Sequence, residues 1–141
     1  MANRAVVLVD SSVWIDLLRG KHGAQIAALH DLVAANAAAL SPLIYQEILQ
    51  GAGSHTHLDA LRKYFSTLPM LVGTHPIHTH EAAAELYARC RWAGITPRNG
   101  FDCLVAVTAI EHRAELLAHD RDFDAIARVE PRLRLYQTTG A

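Results

Sequence analysis

Apolar positions in this chain fall into short unbroken runs separated by stretches with helical spacing. The first run, Ala5 to Val9, is apolar and rich in β-branched residues, without polar alternation. That pattern predicts a strand buried on both faces within a parallel sheet. Ser11 or Ser12 stands where an N-cap is needed, so a helix is expected over Val13 to Arg19, ended by Gly20. From Gly23 to Ala38, Ile26, Leu29 and Leu32 or Val33 recur at helical spacing, with Gln25 and Asp31 off that face. Ala39-Leu40 reads as a short second strand. Ser41-Pro42 joins an N-cap to a proline at the first helical position, which predicts a helix to about Gly51.

Further along, His57 to Ser66 reads as a helix, and Leu68 to Val72 and Pro76 to His78 as weak strands. Glu81 to Trp92 predicts a helix ending near Gly94, and Thr96 to Gly100 is a loop of turn formers. Asp102 to His112 is almost wholly apolar and is expected as a central helix. Glu115 to Ala118 follows as a strand, Arg121 to Arg128 as a helix and Leu133 to Tyr136 as a closing strand. Helices alternating with short apolar strands predict an α/β fold with a parallel sheet, in one domain over residues 1–141.

With 141 residues, 51% of them hydrophobic, the chain is expected to be globular with a real core. No apolar run is long enough to cross a membrane, and the first run meets Asp10 too soon for a signal peptide. A soluble cytoplasmic protein without a membrane partner is the expectation. Cys90 and Cys103, the two cysteines, fit reduced buried thiols.

Against this pattern, four acids stand where an acid is hard to explain. Asp10 ends the first apolar run, and Glu47 has Leu43, Ile44 and Gly51 as helical neighbours. Asp102 opens the apolar stretch Cys103 to Ile110, and Asp120 follows Leu116-Leu117-Ala118-His119. Each has a plain structural alternative: Asp10 a strand end, Asp102 and Asp120 N-caps, Glu47 the partner of a distant arginine. Together they suggest more, because function collects at the carboxyl ends of strands in parallel sheets. Carboxylates gathered there repel and lose solvation, so a cation is expected among them. Oxygen ligands without a Cys/His set favour Mg²⁺ or Mn²⁺ over Zn²⁺. Such a site suits phosphodiester hydrolysis. Setting the four acids aside turns the formal net charge from −1 to +3, which is compatible with a polyanionic substrate.

The motifs carrying these acids resemble those of PIN-domain ribonucleases, the family that includes VapC-type toxins. VVLVDSSVWIDLLRG is similar to the family's opening and places its first acid on Asp10 and its accompanying hydroxyl residue on Ser12. SPLIYQEILQGA is similar to the helix of the second acid, Glu47. NGFDCLVAVTAIEHRAELLAHDRDFDAIA places the third on Asp102 and the fourth on Asp120. The resemblance spans about Val6 to Ile126. It implies a three-layer α/β/α sandwich and a Mg²⁺- or Mn²⁺-dependent endoribonuclease toxin acting on tRNA or rRNA loops. It also implies a cognate antitoxin that blocks the site, and a homodimer. The alternative is a catalytically weak RNA-binding or scaffold protein of the same fold.

Several other residues bear on such a site. Ser12 is expected to cap the first helix and to hydrogen-bond an active-site carboxylate. Asp122 and Asp124 read as helix-start residues, with Asp122 a reserve metal ligand or water orienter. Arg98 and Arg121 are candidates for phosphate contacts, whereas Arg89 and Arg91 read as surface arginines. The pairs His55/His57 and His78/His80 would share a face on a strand, but lack convincing partners and read as exposed. His119, beside Asp120, is a candidate for RNA or metal-shell contact. Trp14 is expected in the core or an interface and Trp92 in helix packing, with base stacking its alternative, while Tyr45 is a candidate for dimer or antitoxin contacts.

Overall fold

The computed structural model describes residues 5–119 and 121–138. Strand β1 is Val7–Val9, followed by helices α1 (Ser11–Leu18) and α2 (Ala24–Ala34) and strand β2 (Ala38–Ala39). Helices α3 (Pro42–Leu49), α4 (His55–Phe65), α5 (Pro76–Trp92) and α6 (Phe101–Glu111) lead to β3 (Glu115–Leu117) and α7 (Arg121–Val129). The sheet is parallel, in the order β2-β1-β3, with Val7 opposite both Ala38 and Glu115. Single parallel bridges, Leu40 to Met70 and Leu116 to Leu135, widen it on both sides. Among the described residues no helix is long and apolar enough to cross a membrane.

This strand order decides where a site can form. The chain leaves β1 toward β2 through α1 and α2, goes on through α3 and α4 to the bridge at Met70, then returns past β1 to β3 through α5 and α6. Right-handed crossovers put α1 to α4 on one face and α5 to α7 on the other, giving the three-layer sandwich. The direction reverses at β1, so the crevice lies where the carboxyl ends of β1 and β3 part. Val7, Leu8 and Val9 are buried because helices cover both faces, which explains the run without polar alternation. Trp14 of α1 and Phe65 of α4 are fully buried and meet edge to face, ring centroids 5.2 Å apart.

Local chemistry sets the element ends. Ser41 accepts from the Ile44 amide and Pro42 opens α3, as the sequence indicates. The cap of α1 is Asp10 rather than Ser11 or Ser12: its carboxylate accepts from the Ser12 amide, and the helix starts at Ser11. Four helices close with the same pair of bonds, C′ amide to C2 carbonyl and C″ amide to C3 carbonyl. In α2 these are Asn36 to Val33 at 3.0 Å and Ala37 to Leu32 at 2.8 Å. Asn36 takes a φ of 54°, so α2 stops at Ala34 and not at Ala38.

The region 76–80 is the main departure from the sequence pattern. Pro76 to His78 is the first turn of α5, not a strand. His78 and His80 therefore point to different sides of a helix, and His55 and His57 sit in the first turn of α4. All four are exposed. The expected closing strand Leu133 to Tyr136 reduces to the bridge at Leu135, held by the Leu116 and Tyr136 amides. Cys90 and Cys103 are free and buried.

Candidate active site

Asp10 occupies the place that the topology singles out. It follows β1 directly, and its amide donates to the Leu117 carbonyl at 2.9 Å, so it stands at the seam between β1 and β3. Only 8% of it is exposed. Its Oδ2 accepts from the Ser12 hydroxyl at 2.6 Å and from the Ser12 amide at 3.3 Å. One carboxylate thus caps the helix and is oriented by it, while the positive end of α1 favours its charge. The bond from Ser12 to this acid is one of the roles expected of it, while the expected capping role falls to Asp10 instead.

Glu47 comes to the same place from α3, which packs on α1. Burial pushes its carboxyl above the ordinary value of 4.5, the charge on Asp10 raises it further, and a hydrogen bond from Ser11 pulls it back. The structure therefore brings Asp10 and Glu47 together in electrostatic tension. Ser11 is a contributor that the sequence motif does not single out; at 8% exposure it is a buried hydroxyl aimed at an acid.

Asp102 lies in the first turn of α6, which contacts α3 and β3. Its charge adds to the burial that pushes the Cys103 thiol up to about 12. Asp120 lies outside the described residues. Among the described residues, no group of three or more His, Cys, Asp or Glu is gathered tightly enough to hold an ion. The donor chemistry nonetheless suits a hard cation. Asp10 and Glu47 are adjoining carboxylates, Ser12 and Ser11 give them hydroxyl partners, and Mg²⁺ needs just one or two direct carboxylates.

The flanks of the crevice are polar. Arg98 Nε donates to Asp122 Oδ2 at 3.3 Å, tying the α5–α6 loop to the first turn of α7. Arg98 and Arg121 are exposed. His119, leaving β3, meets Asp16 Oδ2 through Nε2 at 3.0 Å, and Lys21 Nζ lies 3.3 Å from Asp16 Oδ1. Asp16 is a second residue the motifs do not mark; its spacing of four from Ser12 is the only signal.

Two expectations fail here. Arg89 is no free surface cation: it donates to Glu130 Oε1 and to the Val129 carbonyl, both at 3.0 Å, clamping α5 to the end of α7. Trp92 does not pack between helices and is 79% exposed. Beside the N-terminus of α3, an apolar recess of about 240 Å³ is lined by Leu43, Leu71, Val72 and Leu104. Its lining includes none of Asp10, Glu47 and Asp102 and offers apolar contact rather than phosphate chemistry.

Comparison with known proteins agrees with this fold. Residues 7–129 match the family described as the PIN domain. A VapC ribonuclease of Mycobacterium bovis is 35% identical over 126 residues, covering 88% of this chain and 93% of the relative. Ribonuclease VapC11 of Mycobacterium tuberculosis matches to the same extent. In structure, the chain is similar to VapBC2 from Rickettsia felis bound to a promoter DNA fragment, with a TM-score of 0.71 at 19% identity over 93% of this chain and 97% of that one. VapBC-1 from nontypeable Haemophilus influenzae gives 0.70 at 17% identity over 94% and 97%. At those identities the structural likeness speaks for the fold.

Proposed function

The chain belongs to the PIN-domain family, and from that premise we infer that it is an endoribonuclease toxin, inhibited by a cognate antitoxin. The observation that carries the chemistry is the pair of acids at the crevice, Asp10 and Glu47, which repel each other beside the carboxyl ends of β1 and β3. On our reading Asp10, Glu47, Asp102 and Asp120 hold Mg²⁺ or Mn²⁺. The ion supplies Lewis acidity to activate water and charge to offset the scissile phosphate. The chain's own residues do the rest. Ser12 fixes the rotamer of Asp10, Ser11 orients Glu47, and Asp122 ties the first turn of α7 to the α5–α6 loop through Arg98.

Arg98 and Arg121 serve as phosphate contacts, giving affinity without reading sequence. The substrate is a structured RNA, tRNA or rRNA, cut in a loop. The chain acts as one domain, in the cytoplasm and as a homodimer. Val72, Ile77 and Phe101, exposed by 57%, 71% and 55%, support a face that takes a protein partner. The test is cleavage of tRNA and rRNA with Mg²⁺ or Mn²⁺ added. Activity is expected to vanish in EDTA and in Asp10→Asn; cleavage that persists in either sinks the mechanism.

A further inference from the structure

Helix α1 carries three polar residues toward the crevice. Asp10 caps it, Ser12 bonds Asp10, and Asp16 lies one turn beyond Ser12 on the same face. Both oxygens of Asp16 are engaged, Oδ2 by His119 at 3.0 Å and Oδ1 by Lys21 at 3.3 Å, so the plane of the carboxylate is set. His119 belongs to the segment that leaves β3. The same two elements are joined once more by the bond from the Asp10 amide to Leu117. On the far side of position 120, Asp122 is bonded to Arg98. The residues flanking that position are therefore each tied to a separate part of the fold.

We propose that Asp16 and His119 are positioning residues of the nuclease site, a strut that sets the exit of β3 against α1 and Asp10. The inference rests on the ribonuclease reading above, in which acids from both elements share one ion. An ordinary surface ion pair would add at most about 1 kcal/mol and leave the chemistry untouched. Two features argue for more. Asp16 is half-buried, with 22% of its side chain exposed, and the His119 side chain, in an otherwise exposed residue, is 34% exposed. Their bond also crosses the seam at which the site forms, rather than joining neighbours on one helix.

The experiment compares wild type with Asp16→Ala, His119→Ala, His119→Gln and the double alanine variant. Mn²⁺ binding is measured without RNA by electron paramagnetic resonance, alongside kcat, KM and Tm. Asp16→Ala and His119→Ala are each expected to weaken Mn²⁺ binding and to lower kcat by about 10- to 100-fold, as loss of outer-shell support does. KM for RNA should move less. The double variant should be no worse than either single one, because the two residues act through one bond. His119→Gln places an amide donor where Nε2 stood and should recover much of the loss. Unchanged Mn²⁺ binding and kcat with a lowered Tm would overturn the proposal, leaving a purely structural pair. Losses that multiply in the double variant would overturn it as well. Failure of the ribonuclease reading is told apart because it appears in wild type, as absence of both Mn²⁺ binding and cleavage, and it takes the strut's role with it.

Discussion

Glu47→Gln is expected to stabilise the metal-free protein while abolishing cleavage. Glu47 is half-buried, and Asp10, 8% exposed, raises its proton affinity. Like charges shift each other over about 4–6 Å. At ~5 Å and an effective dielectric between ~20 and ~80, their repulsion is about 1–3 kcal/mol. The hydrogen bond from Ser11, about 1 kcal/mol, is weakened in the amide and offsets part of the gain. A net gain of about 1–2 kcal/mol corresponds to a Tm rise of roughly 3–8 °C in a chain of this size. The pH dependence follows from the raised value. Below the ordinary 4.5 the carboxyl is protonated both folded and unfolded, so the variant gains nothing. As pH rises through the folded value, wild type must ionise a desolvated group beside Asp10 and loses stability that glutamine keeps. Melting in EDTA at pH 7.5 and at pH 4 therefore gives the contrast, and Mn²⁺ should raise the Tm of wild type more than that of the variant. A variant that melts at or below wild type at pH 7.5, or whose gain is the same at pH 4, refutes the argument.

Other outcomes are equally specific. Asp102→Asn should reduce cleavage by at least about 100-fold with Tm little changed, measured with Mg²⁺ and Mn²⁺. Glu130 is held near 2 by Arg132 first and Arg89 second, so it contributes stability above 4.5 that is lost as pH falls from 4.5 toward about 2. That contribution is on the order of 3 kcal/mol, and Glu130→Gln should flatten the acid limb of the stability curve. Trp14→Ala empties the core around Phe65 and should cost about 3–5 kcal/mol in urea unfolding. Cys103, pushed up to about 12 and buried, and Cys90, also buried and raised, should resist maleimide at pH 7.5 until the protein unfolds.

The sheet and the place of Asp10 at its edge were legible because their causes are local or topological. A run such as Val7-Leu8-Val9 has one stable use, and an aspartate after it stands at the sheet's carboxyl edge whatever the helices do. Ser41-Pro42 announced α3 for the same reason. The errors arose where tertiary contact outweighs local pattern. Pro76 to His78 has strand-like alternation, yet Pro76 suits a helix start, and α5 gains by packing along α6. Asn36 stops α2 through a left-handed backbone that no hydrophobic period reveals. Arg89 looked solvated because Glu130, its partner, is remote in sequence. Ser11 and Asp16 stayed hidden for that reason too: their partners, Glu47 and His119, come from other elements.

The pairing of β1 with β3 also governs when the enzyme comes into being. Asp10 and its strand wait for Leu117, which is made about a hundred residues later. Contacts so far apart in sequence form late, because the intervening loop must close first. A chain still on the ribosome therefore carries its early acids without the crevice that unites them. For a ribonuclease, this order keeps the cutting site unassembled until both strands of its seam have been made.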